Sequence, residues 1–196
     1  MDLFELIIDE DQDLEGVQAV SLVSDPAIES DFVALKKHKV ALAVVNEDKH
    51  ILMGAALIPD KPIFRADENG GYNIFFSEQT VRKASELFLQ NGMQSESTLE
   101  HQVDLKGNTV VESWIKEDET HDKSVKFGID APVGSWIISM KIQDDEVYNM
   151  AKTGEIKGFS IEGYFADKLV RNKKQVSESD LYNDIMALLE SAEVKN

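Results

Sequence analysis

The chain has 196 residues with a hydrophobic fraction of 42%, which is enough for one domain with a substantial apolar core. It contains no cysteine, so disulfides, thiolate metal sites and cysteine nucleophiles are excluded. Its formal net charge is −17, and such a surface would repel phosphate backbones, so we expect no nucleic-acid partner. No apolar run approaches the roughly 20 residues that span a bilayer, and the N-terminus lacks the basic start of a signal peptide. We therefore expect a soluble, intracellular protein without a membrane partner.

The first half of the chain has the patterns of strands followed by one helix. Alternating or β-branched apolar runs predict strands at 3–8, 17–23, 40–45, 51–58 and 72–76. Ser77 is a suitable N-cap, and the apolar residues after it recur at helical spacing as far as Asn91-Gly92, so this segment is predicted to be a helix.

The second half continues with strands and contains one short helix. Strands are predicted at 98–103, 109–115, 135–142 and 156–165. The charged segment 117–131 is typical of a loop. Asp144 is placed to cap a short helix that ends at Gly154.

The C-terminal part differs in composition from the rest of the chain. Residues 170–179 are polar and basic, as in a linker, and the apolar residues from Leu181 to Leu189 form one stripe of an amphipathic helix. This helix either packs on its own domain or acts as a scaffold-like arm. We predict one domain over residues 1–169, followed by the linker and helix over 170–196. The fold class is α+β with a mainly antiparallel β core.

The four histidines differ in their surroundings. His38, His50 and His121 lie in polar or charged stretches and are predicted to be solvated, whereas His101 lies within a predicted strand. The histidines are dispersed and no His-Glu-x-x-His run occurs, so we expect no metal site. No glycine-rich phosphate loop or dinucleotide fingerprint is present, and we expect no cofactor.

Ser160 is distinguished from the other serines by its context. It lies on a predicted strand between Gly158 and Gly163, where the backbone could closely approach a ligand. A serine hydroxyl is a weak nucleophile and needs a base within hydrogen-bond reach, and His101 on another strand is a candidate. The sequence around Ser160 is not the Gly-x-Ser-x-Gly nucleophile elbow. Residue chemistry alone therefore leaves two interpretations open: a serine–histidine site, or two ordinary strand residues.

Four segments together carry a resemblance to a known family. They are Leu99-Glu100-His101-Gln102-Val103, Val110-Val111-Glu112-Ser113-Trp114-Ile115, Pro132-Val133-Gly134-Ser135-Trp136 and Gly154-Glu155-Ile156-Lys157-Gly158-Phe159-Ser160-Ile161-Glu162-Gly163-Tyr164-Phe165. They resemble phage serine proteases of the XkdF type, which belong with the prohead maturation proteases of tailed phages. The resemblance extends over roughly residues 17 to 168.

This resemblance implies a fold, an activity and a biological role. The fold would be an antiparallel β-barrel flanked by helices, like that of the herpesvirus assemblin proteases. Ser160 would be the nucleophile and His101 the general base of a serine endopeptidase, with the oxyanion accommodated by backbone near the strand glycines. The substrates would be capsid and scaffold proteins, cleaved during prohead maturation in the cytoplasm of the bacterial host, within assembling proheads. A homo-oligomer is a state that the resemblance allows.

The third catalytic member stays open. In such proteases an acidic residue precedes a Val-Ser-Leu-Val segment that follows the serine strand. Here the segment precedes the histidine and serine strands, as in a circular permutation, and Ala19 takes the acidic position. Ser21 and Asp25 share its strand face, about 7 Å and about 20 Å along the strand. Glu112 and Glu162 are further candidates, as is a dyad with a neutral orienting group.

Two alternatives to a protease also remain. The first is a catalytically inactive capsid-assembly or scaffold component with the same fold, which the missing acid at Ala19 favours. The second is a β-rich interaction module whose acidic surface binds a basic partner.

Overall fold

The computed structural model describes residues 2–8, 16–26, 43–46, 49–67 and 70–170. These residues form strands and a few helices, numbered here in chain order. The strands are β1 Leu3–Ile7, β2 Gly16–Val23, β3 Ala43–Asn46, β4 Ile51–Leu57, β5 Ile63–Asp67, β6 Gly70–Phe76, β7 Ser97–Leu99, β8 Val103–Leu105, β9 Thr109–Ile115, β10 Trp136–Lys141, β11 Gly158–Tyr164 and β12 Ala166–Val170. The α-helices are α1 Glu78–Gln90, α2 Lys123–Lys126 and α3 Asp145–Thr153, and a 3₁₀ turn spans Met93–Ser95.

The strands form three four-stranded sheets. Their orders are β12-β1-β6-β5, β3-β4-β10-β9 and β11-β2-β7-β8. Among the described residues, the β1–β6 and β2–β7 pairs are parallel and the other pairs are antiparallel. The predicted α+β class with a mainly antiparallel core is confirmed.

Helix α1 contributes one side of its surface, including Val81, Ala84 and Phe88, to the main hydrophobic core. Its Phe88 is fully buried, and the Phe88 ring meets that of Trp136 from β10 edge-on, with a centroid distance of 5.2 Å. The same core includes Leu22 of β2 and Phe159 of β11. The inner faces of β2 and β11 are therefore anchored in apolar packing, which holds their opposite faces in place.

The helix caps follow the predicted chemistry. The Ser77 side chain accepts a hydrogen bond from the Thr80 N–H at the start of α1. The Asp144 side chain accepts hydrogen bonds at the start of α3, and Gly154 ends that helix in the left-handed conformation.

Several expectations are corrected by the structure. The closed β-barrel is wrong for the residues described, because closure requires pairing on both sides of every strand and each sheet here has two edge strands. The predicted strand 98–103 is interrupted at residues 100–102 by a turn between β7 and β8. Helix α2 lies within the segment expected to be a loop, and β5 and β12 were not predicted.

Some predictions fall on residues about which the structure gives no description. His38, residues 40–42 of the third predicted strand and the C-terminal helix lie outside the described residues. Within the described ranges, no helix has both the length and the apolar character needed to cross a membrane.

Candidate active site

The candidate site is built on the face of the β11–β2–β7 strands that points away from the main core. Ser160 of β11 pairs with Ser21 of β2, and Ser21 pairs in turn with Thr98 of β7. Directly paired residues project to the same side of a sheet, so these three hydroxyl side chains form a row across the three strands. Glu162 lies two residues after Ser160, shares this face and pairs with Ala19.

His101 lies in the tight turn that joins β7 to β8. Glu100 and His101 both have left-handed backbone conformations, with φ values of 52° and 57°. Consecutive positive φ angles are typical of turns that favour Asn-Gly, and for other residues the conformation costs about 1–2 kcal/mol each. Such strain persists only where surrounding contacts enforce it, and it is concentrated at functional sites.

The contacts that hold this turn come mainly from β2. The Glu100 N–H donates to the Leu22 carbonyl at 3.0 Å, and the His101 N–H donates to Ser21 Oγ at 3.0 Å. The Glu100 carboxylate accepts a hydrogen bond from the Ser24 N–H at 2.6 Å. Both strained residues are therefore tied to the strand that pairs with the Ser160 strand.

The His101 ring faces a carboxylate. Its Nδ1 lies 3.1 Å from Oε1 of Glu162, and the side chains are 41% and 33% exposed respectively. The same Glu162 oxygen accepts a short hydrogen bond from the Thr98 hydroxyl. Since Nδ1 faces Glu162, Nε2 is the ring nitrogen left to exchange a proton with another group.

The Ser160 side chain is largely buried, with 7% of the residue exposed. Within the described part of the chain, its hydroxyl makes no hydrogen bond with the His101 ring. The link between the two residues runs through Ser21, which pairs with Ser160 and binds the His101 N–H. Catalytic hydrogen bonds are often long before substrate binds, so this arrangement is compatible with a resting serine–histidine site.

A family model with the description "Putative phage serine protease XkdF" matches residues 39–169, about two thirds of the chain. The chain belongs to this XkdF family of phage serine proteases. Neither the comparison with curated proteins nor that with solved structures gives a significant match.

The residues matched to the XkdF family include most of the candidate site but not all of it. Thr98, His101, Ser160 and Glu162 lie inside the matched range, whereas β2 with Ala19 and Ser21 precedes it. The sheet nevertheless inserts β2 between β11 and β7. A segment outside the family match therefore supplies the strand that connects the serine strand to the histidine turn.

Ser21 and Asp25, the two candidates for the third catalytic residue, lie in different surroundings, although the strand pattern placed them on one face. Ser21 is fully buried, and its hydroxyl accepts from the His101 backbone and donates to the Thr98 carbonyl at 3.5 Å. Asp25 is exposed in the bend after β2, and the described residues give it no contact with the His101 ring. Of the candidates, Glu162 is the acidic residue that meets the ring.

Other residues that attracted attention in the sequence lie elsewhere. Glu112 is bound by Lys123 and Ser139, and these hydrogen bonds hold the pKa of its carboxyl below the usual range. His50 stacks on Tyr148, and His121 contacts Asp118. Thr98 was not predicted as part of the site, although alternation along β7 could have placed it beside Ser21.

The glycines beside Ser160 approach other parts of the chain. A Cβ added to Gly158 would lie 2.6 Å from Pro26 Cγ, and one added to Gly163 would overlap the Gly16 carbonyl. A register shift also occurs between Glu162 and Gly163. The glycines thus permit close packing around a β-bulge next to Ser160, rather than leaving open space for a ligand.

Gly163→Ala is therefore expected to destabilise the protein by about 1–3 kcal/mol, because the new methyl group would press on backbone rather than on a movable side chain. Thermal unfolding followed by circular dichroism measures the change. Gly163 is not among the glycines with a positive φ, so the loss reports the steric crowding and not left-handed strain. Equal melting temperatures for Gly163→Ala and wild type would contradict the close approach.

Proposed function

We propose that this chain is a serine endopeptidase in which Ser160 is the nucleophile and His101 the general base. The observation that carries the proposal is the connection through Ser21. This residue pairs with Ser160 and also accepts the hydrogen bond of the His101 N–H, at 3.0 Å. A strained turn is thereby tied directly beside the serine strand, in a chain that belongs to a family of phage serine proteases.

The proposed reaction begins with attack of Ser160 Oγ on a peptide carbonyl carbon. Nε2 of His101 takes the hydroxyl proton as the carbon–oxygen bond forms, and the carbonyl oxygen becomes an oxyanion. Collapse of this intermediate breaks the peptide C–N bond, and His101 gives the proton to the leaving amine. Water then attacks the acyl-enzyme with His101 again as the base, which releases the acid product and restores Ser160.

Two features of the resting site support these roles. The Ser160 hydroxyl is not engaged in a hydrogen bond among the described residues, so no existing bond has to break before attack. The contact between Nδ1 of His101 and Glu162 leaves Nε2 for proton transfer. Together they favour a working protease over an inactive component with the same fold.

The proposed substrates are capsid and scaffold proteins of the phage, cleaved as the prohead matures in the cytoplasm of the bacterial host. Residues 1–169 would be the protease domain, and its fold would be related to that of the herpesvirus assemblin proteases. The C-terminal segment 170–196 would either pack on its own domain or tether the protease to the assembling shell. Truncation after Val170 should reduce incorporation into proheads if this segment is a tether. Unchanged incorporation of the truncated chain would exclude the tether.

Labelling by a serine-reactive phosphonate tests the proposed activity directly. We expect the full chain, purified after co-expression with the capsid and scaffold proteins, to be labelled at Ser160, as located by mass spectrometry of its peptides. Ser160→Ala should remove the label, and Ser24→Ala, which changes an exposed serine near the turn, should retain it. A folded wild-type chain without label at Ser160 would indicate an inactive assembly component and overturn the proposal.

A further inference from the structure

We infer that Glu162 is the residue that positions His101, and that it does so by reaching across β2 through a gap left by Ala19. The inference rests on the proposed function, since it concerns orientation of the proposed base. It assigns to one strand, β11, both the nucleophile and the acid, two residues apart and on the same face of the sheet.

Glu162 reaches its partners across the intervening strand β2. Glu162 lies on β11 and Thr98 on β7, with β2 between them, so about two strand spacings of 4.7–4.9 Å separate the backbones. Their side chains nevertheless hydrogen-bond. The path between them passes over β2 at Ala19 and Ser21, the residues that pair with Glu162 and Thr98. A larger side chain at position 19 would occupy this path.

The Glu162 carboxylate is held between Thr98 and the His101 ring. Oε1 of Glu162 receives the Thr98 hydroxyl and also lies 3.1 Å from Nδ1 of His101. Thr98 therefore restricts the Glu162 carboxylate at the point where it meets the ring. A carboxylate at Nδ1 favours the tautomer with its proton on Nδ1, so that the Nε2 lone pair can accept the Ser160 proton.

The contact between Glu162 and His101 orients the ring and contributes little to the stability of the fold. Both side chains are about a third or more exposed, and ion pairs at such positions contribute little to the free energy of unfolding. The turn is instead held by backbone hydrogen bonds with Leu22 and Ser21. Loss of the Glu162 carboxylate should thus change the tautomer and orientation of the His101 ring while leaving the fold and the turn intact.

The central test is Glu162→Gln in the full chain, assayed on the co-expressed capsid and scaffold proteins. We expect kcat to fall by on the order of 10³- to 10⁴-fold with little change in KM. Nitrogen NMR of the histidine rings in Glu162→Ala, which removes both carboxylate oxygens, should show the His101 proton shifting from Nδ1 toward Nε2. Glu112→Gln is the matched control, because Glu112 is also a strand glutamate in an ion pair but lies outside the site. It should leave both readouts unchanged.

A second pair of variants tests the path over Ala19. Ala19→Leu should obstruct the path and reduce kcat, although the Glu162 carboxylate is still present. The double variant Ala19→Glu/Glu162→Ala moves the carboxylate from β11 to the directly paired position on β2. Cβ atoms of paired residues are about 4.5–5.5 Å apart, so the new carboxylate begins one strand closer to β7. This double variant should recover at least about tenfold of the activity that Glu162→Ala loses, as expected of coupled neighbours.

The outcomes distinguish this inference from the proposed function. If Ser160→Ala is inactive while Glu162→Gln keeps wild-type kcat and the wild-type histidine spectrum, the role of Glu162 is refuted and the serine endopeptidase stands. If Ser160→Ala cleaves like the wild type, both fall. A Glu162→Ala chain with an unchanged tautomer, whatever its kcat, would also overturn the positioning role.

Discussion

Ser160→Ala is expected to abolish cleavage of the capsid and scaffold proteins while leaving the protein folded. Loss of a catalytic serine typically lowers kcat by about 10⁴- to 10⁶-fold, because no other group can form the acyl-enzyme. The hydroxyl makes no hydrogen bond among the described residues, so its removal breaks none of their hydrogen bonds. Gel assays of co-expressed substrate give the activity, and thermal unfolding gives the stability, which should change by less than about 1 kcal/mol.

Ser21→Ala provides the sharpest control, because it makes the same change at the directly paired position. The Ser21 hydroxyl is fully buried and bound to both the His101 N–H and the Thr98 carbonyl. Its loss should reduce stability by about 1 kcal/mol or more and lower activity only in part, through the turn. The opposite result, with Ser21→Ala inactive and Ser160→Ala active, would assign the nucleophile to Ser21 and refute the site proposed here.

Much of the secondary structure could be predicted because it depends on local chemistry. The caps at Ser77 and Asp144 follow from side chains that accept orphan N–H groups of the first helical turn. The strands β2 and β11 follow from apolar residues such as Val20, Leu22 and Phe159, whose side chains are buried in the core. Each of these signals lies within a few residues of the element that it predicts.

The arrangement of the strands into sheets could not be predicted from local sequence. Whether the twelve strands of the described residues close into a barrel or form three sheets depends on pairings such as β1 with β12, which are more than 150 residues apart. The turn at Glu100 and His101 was also missed, because the usual Asn-Gly signal is absent. Its left-handed backbone is imposed by β2, another part of the chain, and local propensity does not reveal it.

The residues of the candidate site were easier to predict from the sequence than the contacts between them. Ser160 and His101 were proposed mainly from the family-like segments, and Glu162 was one of several acidic candidates. Periodicity alone puts Glu162 on the face of Ser160, but its contact with the His101 ring depends on the unpredicted turn. The hydrogen bond of Ser21 to the His101 backbone likewise required knowledge of how β2 pairs with β7.

His101→Asn is expected to remove activity without disturbing the turn. Asparagine tolerates the left-handed conformation better than most residues, so the φ of 57° should be retained at no added cost. It keeps the backbone N–H that binds Ser21 but has no group that can accept the Ser160 proton as imidazole does. We expect kcat to fall by about 10⁴-fold or more, with a melting temperature equal to or above that of the wild type.

His121→Asn, at an exposed histidine outside the site, should remain fully active. If a folded His101→Asn chain cleaves substrate at the wild-type rate, His101 is not the base, and the strain in its turn needs another explanation.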